Sequence, residues 1–395
     1  MISLDEALRR LLDGYGLLGT EPVALADAAG RILAAPIIAG HDQPPAPLSA
    51  MDGYAVRSVD VAQAVVLKII GESPAGAPFA GSVGAGECVA IATGGVVPDG
   101  ADRVVMQENV ARDGDCITIA DPSGPPFVRP AGMDFASGQR LLEPGATITP
   151  AALGLIAAAG IADVEVARRP RVALIASGDE LREPGEPLGP GAMYNSAAFA
   201  LAALVAAWGG EAVRVETLPD ELDACLVGLR AIDRADLFVT IGGASVGQRD
   251  LLRPAFEALG ATMRFDRIAV VPGKPSWHAR LPDGRAVLGL PGNPSSAFVC
   301  AHLLLRPLLA ALTGRDPAPA LIRAHLADPL PANGAREAWL RATLSVEDGI
   351  AIIRADPRQD SGLQTPLAAA NALLRRPANA ASTAAGELVD AMRIG

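Results

Sequence analysis

Aromatic residues are scarce in this chain: Phe, Trp and Tyr make up 4% of its 395 residues. A surface that stacks single-stranded bases needs such rings, and a phosphate backbone needs basic charge, whereas the formal net charge is −11. Nucleic-acid partners are therefore disfavoured. Any anionic ligand has to be held by local groups such as backbone N–H clusters, helix starts or a few Lys and Arg side chains. Cysteine is sparse as well. Cys88, Cys116, Cys225 and Cys300 lie far apart with no CxxC spacing, which argues against a thiolate zinc site or a disulfide framework and fits a reducing interior. The four histidines show no metal-ligand spacing, so a bound metal is expected to be oxygen-held. Long apolar runs are also missing: the stretches at 149–161 and 197–208 fall short of the ~20 residues that span a bilayer. The start, MISLDEALRR, carries charge where a secretory signal is apolar. A soluble, cytoplasmic protein without a membrane partner is expected.

What is present is apolar and modular. Half the residues are apolar and 19% are charged, the balance of a folded chain, and the length exceeds the ~250 residues at which single cores stop growing. Apolar spacing from Leu4 to Leu12 predicts a helix with Ser3 as N-cap and Glu6 completing a capping box. A second helix is expected from Pro150, with Thr149 as N-cap and Gly160 as its stop, and these two helices are expected to pack together. Between them, 57–148 holds short β-type runs (AVVLKII, ECVAIA, RVVMQENV, CITIA), with Asp113-Gly114-Asp115 as a hairpin turn. Pro-rich crossings at 44–47 and 122–130 mark this as an insertion into a discontinuous helical domain. From Arg171 strands and helices alternate, as in a parallel α/β domain: VALIAS, a helix over 195–208, VRVETL, a helix over 221–232, LFVTIGG, a helix over 251–259, VLGLPGN and a helix from Pro294 to about Leu312. After Gly314 the runs are strand-like, with Glu347-Asp348-Gly349 as a hairpin turn, and predict a small all-β module.

Parallel strands bind ligands at their C-terminal ends, so the loops there are the candidates for chemistry. In Thr240–Asp250 the glycines at 242, 243 and 247 permit a sharp turn and close approach to a ligand, and Asp250 sits at the following helix start. A tight structural turn with Asp250 as a cap is the plainer alternative. The stretch Gly243-Ala244-Ser245-Val246-Gly247 also matches a G-x-S-x-G nucleophile elbow, for which Asp266 with His278 or His302 can be nominated, although nothing around them favours either. Ser177-Gly178-Asp179-Glu180 puts adjacent acids where Mg²⁺ could be held, or forms an exposed acidic turn. Pro272-Gly273-Lys274-Pro275 and Leu290–Ser296 are rigid turns; the first brings a cation and the second places Pro294 at the helix start. In the insertion, Ser49–Ala55 and the Gly-rich Thr93–Asp102 have equal claims to structural and ligand-binding roles.

In this order the segments SAMDGYA, TGGVVPDGAD with VVMQE, GMDF, SGDEL, GGASVG with Asp250, PGKP and LPGNPSSAF resemble the molybdopterin molybdotransferases, the MoeA-type proteins related to the E domain of gephyrin. The resemblance covers essentially the whole chain. It implies multidomain α/β plus β architecture: a discontinuous helical N-terminal domain (1–43 and 137–168) with a β-rich insertion (44–136), a three-layer parallel α/β molybdopterin-binding domain (169–315) and a C-terminal β-barrel (316–395). It also implies a homodimer with a site shared between subunits, a contact with the adenylyltransferase of the pathway, and an Mg²⁺-assisted reaction. In that reaction molybdate and adenylylated molybdopterin give molybdenum cofactor and AMP. Carried over by motif, the catalytic residues are Asp52, Thr93, Asp134, Glu180, Asp250 and Lys274, with Glu180 and Asp250 as metal ligands. Substrate contacts fall on Gly242, Gly243, Ser245, Gly247, Pro291, Gly292, Asn293, Pro294, Ser295, Asp220 and Arg267. Departures are Val271 and Met133 where charge is common, Arg267 for a lysine, and Gln248 for an acid. An adenylyltransferase-like enzyme or a noncatalytic molybdopterin-binding scaffold of the same fold are the alternatives, and the family's use of this glycine turn leaves no nucleophilic serine.

Overall fold

The computed structural model describes residues 1–214, 217–219, 221–242 and 251–394. The chain forms two compact units. One comprises Met1–Glu21, Gly30–Ala34 and Glu165–Gly395, the other Pro22–Ala29 and Ala35–Val164.

The second unit is built on a six-stranded sheet in the order Arg103–Met106, Gly53–Val56, Glu87–Ile91, Val66–Ser73, Cys116–Ile119, Val110–Asp113. Alternating apolar positions bury Val56, Leu67, Cys88 and Ile117 on one side. The expected hairpin is present, with Asp113 opposite Cys116. Thr149 caps the helix Pro150–Ala158 by accepting from the Ala152 N–H at 3.2 Å, and Gly160 ends it at φ +73°.

In the first unit the α/β sheet runs Glu211–Arg214, Arg171–Ala176, Leu237–Ile241, Ala286–Leu290, Trp277–Arg280, Thr262–Phe265. The first four strands are parallel; Trp277–Arg280 runs antiparallel and extends the sheet beyond the strands read from sequence. Leu237–Ile241 and Ala286–Leu290 are buried at every position because helices cover both faces. Val172 and Leu174 join Leu201, Val205 and Leu308 on one face, while Ala173 and Ile175 join Cys225, Leu229 and Phe256 on the other. The helical stretch Pro294–Leu312 is 19 residues long and apolar, and 83% of it is buried as a core helix.

Two expectations for the first helix need correction. The buried face of Leu4–Leu12, with Leu4, Ala7 and Leu11, enters the α/β core of its own unit, and Pro150–Ala158 belongs to the other unit. An amphipathic stripe declares that a face will be buried but not against which partner. The capping box is half formed. Ser3 Oγ accepts from the Glu6 N–H at 3.2 Å, but the Glu6 carboxylate turns to Arg9 and Arg10 instead of reaching back.

Beyond Gly314 the strands Glu337–Glu347, Ile350–Ala355, Leu321–Leu326, Leu388–Arg393 and Ala372–Arg376 close into a barrel, because the last pairs back on the first. Closure leaves no edge among the five, and Val270–Val271 adds a parallel pair outside. Asp348 and Gly349, both at positive φ, form the expected hairpin turn between Glu347 and Ile350.

Candidate functional site

Strand order sets the site in the first unit. The chain leaves Arg171–Ala176 toward the edge strand Glu211–Arg214, and leaves Leu237–Ile241 toward the opposite side of the sheet. The crevice between two such strands, at their C-terminal ends, is where open α/β sheets bind ligands. Ser177–Glu180 follows the first strand, Gly242 the second, and Pro291–Asn293 the neighbouring Ala286–Leu290. These three turns touch. A methyl group on Gly242 would lie 3.7 Å from both the Gly292 Cα and the Ser177 carbonyl oxygen. The Gly242 N–H donates to Leu290 O at 3.1 Å, and its φ is +83°, a conformation that favours glycine.

The antiparallel strand brings in a fourth loop. Trp277 lies opposite Gly289, so Pro272–Ser276, which leads into Trp277–Arg280, reaches the same edge. Gly273 sits at φ +127°, where a methyl would come within 2.3 Å of Cys300 Sγ; Ser276 Oγ donates to that sulfur at 3.4 Å. Burial pushes the Cys300 thiol up to about 12, which makes it packing rather than a nucleophile. Lys274 itself is exposed, and its carbonyl accepts from the Ile268 N–H at 3.1 Å, which holds the Arg267 turn beside it. Arg267 is likewise exposed.

The rim thus collects Asp179, Glu180, Arg267 and Lys274, all exposed and none in a side-chain hydrogen bond or ion pair among the described residues. The Glu180 carboxylate folds over Gly178, where a methyl would meet it at 2.7 Å. Among the described residues no three His, Cys, Asp or Glu side chains gather as a ligand set. Carboxylate chemistry here therefore suits a hard cation that also takes ligand oxygens from a substrate.

The next turn is bound differently. Asn293 Nδ2 donates to Ser361 Oγ at 2.7 Å, Ser295 Oγ donates to Leu363 O at 2.5 Å, and buried Arg341 donates to Ser295 Oγ at 3.0 Å. The Ser295 hydroxyl is committed to the barrel, so a ligand contact from this position falls to its backbone. Pro291 is buried, Gly292 exposed, and Pro294 occupies the first helical turn as expected. Sequence reasoning missed Arg341; its signal is a charged residue at a buried position of an apolar strand.

In the other unit, Asp52 and Thr93 meet: the Thr93 N–H donates to Asp52 Oδ1 at 2.7 Å. Asp134 lies on a separate turn, held by its N–H donating to Gln43 O at 2.9 Å. Asp220, Gly243, Ser245, Gly247, Gln248 and Asp250 lie outside the described residues. The histidines nominated for a hydrolase are both buried. His278 Nδ1 bonds Val287 O at 3.0 Å, and His302 packs between Trp208 and Phe298. Burial holds both well below the ordinary histidine value, at about 4 and about 3, so neither is poised as a general base.

Fold and rim together define an α/β ligand-binding domain whose switch point carries charges of both signs that are unpaired among the described residues, in a chain that also holds a β-rich unit and a barrel. Three family models match in chain order: the MoeA N-terminal region (domain I and II) over 2–160, a probable molybdopterin binding domain over 173–311, and the MoeA C-terminal region (domain IV) over 323–394. The chain belongs to the MoeA family of molybdopterin molybdenumtransferases. The molybdopterin molybdenumtransferase of Haemophilus influenzae is 38% identical over 319 residues, covering 80% of this chain and 78% of its own. That of Staphylococcus aureus strain MRSA252 is 32% identical over 397 residues, covering 98% and 94%. The molybdopterin biosynthesis MoeA protein of Pyrococcus horikoshii superposes with a TM-score of 0.85 at 30% identity, covering 100% of this chain and 99% of that one.

Proposed function

We propose that the protein inserts molybdenum from molybdate into adenylylated molybdopterin, giving molybdenum cofactor and AMP. The observation that carries this is the convergence of four loops on one sheet edge, with exposed acids, two exposed cations and glycines that admit close approach. Backbone N–H groups and Lys274 offset the phosphate charge, Arg267 adds a second cation, and Glu180 with Asp250 would hold Mg²⁺. When bound, such a cation would supply neutralisation of the phosphate charge. Purified protein mixed with adenylylated molybdopterin, Mg²⁺ and molybdate releases AMP and yields cofactor that activates an apo-molybdoenzyme. Absence of molybdate-dependent turnover sinks the proposal and favours a scaffold. Synthesis of adenylylated molybdopterin from ATP instead would identify an adenylyltransferase, an activity for which the insertion and barrel give no reason.

The active form is proposed to be a cytoplasmic homodimer in which Asp52, Thr93 and Asp134 of one subunit complete the rim of the other. Four domains in the divisions given above, and a contact with the pathway's adenylyltransferase, belong to the same proposal. Mixing inactive Asp52→Ala and Glu180→Ala chains, then allowing subunit exchange, restores about a quarter of wild-type activity if sites are shared across a twofold dimer. No recovery after demonstrated exchange means that each site is built from one chain.

A further inference from the structure

Away from the rim, a hollow of about 360 Å³ opens where the helical stretch Pro294–Leu312, the linker after it and the barrel strand Leu388–Arg393 meet. Its wall includes Trp208, His302, Arg306, Arg315, Asp316 and Met392. Arg306 lies twelve residues along the helix from Pro294, so roughly 18 Å from the rim at 1.5 Å per residue. Trp208 ends the helix Ser196–Ala207 just before strand Glu211–Arg214 begins, at the sheet's N-terminal edge. The hollow is therefore at the end of the sheet opposite the candidate site.

Its charge is unbalanced. The Arg306 guanidinium has no hydrogen-bond or ion-pair partner among the described residues. Arg315 donates through Nη2 to Trp208 O and through Nε to Thr313 Oγ1 at 3.3 Å, which fixes its fork without neutralising it. Asp316 accepts from the Ala318 N–H at 2.9 Å and pairs with neither arginine. Two guanidiniums facing one carboxylate leave a local positive excess in a chain of net charge −11. His302 adds an independent observation: it is 3% exposed, yet neither ring nitrogen has a hydrogen-bond partner among the described residues. Burial and then the Arg306 charge keep it neutral, so one nitrogen is a donor and the other an acceptor.

We propose that this hollow is a second ligand site, separate from the catalytic rim, that binds a small phosphate ester. Guanidinium forks match phosphate oxygens, and a volume at the lower end of small-molecule pockets holds a phosphate with a compact organic part, up to a mononucleotide. Trp208, Met392 and the prolines of the linker supply the apolar wall for that part. Because the wall draws on both the α/β core and the barrel, an occupant joins the two modules.

Calorimetric titration of the full chain with AMP and, separately, with inorganic phosphate tests this. The variants are Arg306→Gln, which breaks no described bond, Ala318→Glu, which adds a competing carboxylate to the wall, and Lys274→Ala at the rim. The expected result is a saturable site for at least one probe that is weakened at least about tenfold in both hollow variants and retained in Lys274→Ala, where any loss of AMP binding is confined to the rim. Binding of both probes marks the ester as the ligand class; binding of phosphate alone with the same residue dependence assigns the site to the phosphate group. The proposal is overturned if neither probe binds the wild-type chain, or if every binding event seen in wild type survives Arg306→Gln and Ala318→Glu in chains whose melting temperatures match wild type. It is also overturned if binding disappears in Lys274→Ala alone, which would place the ligand at the rim.

Discussion

Two turns on one sheet edge have been put to opposite uses. Both follow buried parallel strands and both are rich in polar residues and glycine. The turn at Pro291–Ser296 has its side chains tied to the barrel: Asn293 to Ser361, Ser295 to Leu363 O and Arg341. The turn at Ser177–Glu180 leaves the Asp179 and Glu180 carboxylates exposed and without partners among the described residues. One turn is a rigid wall, and the other keeps its carboxylates available. The difference teaches that residue type at a ligand-binding edge does not assign a role; the partners already satisfied do.

That contrast is breakable. The largest effect is expected from Glu180→Ala, which lowers turnover by about 10²–10³ in steady-state AMP release while the melting temperature stays put, since the side chain supports no described contact. Full activity in this variant would end the distinction. Arg341→Met does the reverse: it removes the charged donor shared by Leu363 O, Arg358 O and Ser295 Oγ, leaving Ser295 and Leu363 only each other, and urea denaturation should register a loss of about 3 kcal/mol. An intermediate effect concerns pH. His278 and His302 take up protons in the unfolded chain near the ordinary histidine value but in the folded chain only at about 4 and about 3. Their contribution is complete above the unfolded value and is lost as pH falls through the window between the two. Each proton steepens the fall by about 1.4 kcal/mol per pH unit, so His302→Leu should flatten the pH dependence of urea stability between pH 6 and 4 by about that slope. A slope unaffected by the substitution would mean that His302 is protonated in the fold. The smallest effect belongs to Ser295→Ala: about 1 kcal/mol of stability with KM unchanged. A raised KM at unaltered stability would return Ser295 to the substrate-contacting set.

Much of the architecture was legible from local signals. Thr149 and Ser3 cap helices, Gly160 stops one, and Asp113–Asp115 and Glu347–Gly349 turn hairpins, because caps and tight turns depend on residues three or four apart. The extra strands Thr262–Phe265 and Trp277–Arg280 were not read, since short edge strands beside loop-like sequence carry little periodic signal. Of the candidate site, the loops were found by their glycines and acids. Arg341 was not, and neither was the arginine pair of the hollow, because each acts through neighbours remote in the chain.

The amino-acid sequence on its own determined the local pieces and the inventory of chemistry: where helices begin, which strands are buried, which loops carry acids and cations. Only the tertiary structure decided which of those loops meet. Strand order differs from chain order, so Ser177, Gly242 and Gly292 become neighbours across gaps that no period spans. It also decided which polar groups remain available, because Ser295 and Arg341, 46 residues apart, satisfy one another only once barrel and sheet are packed.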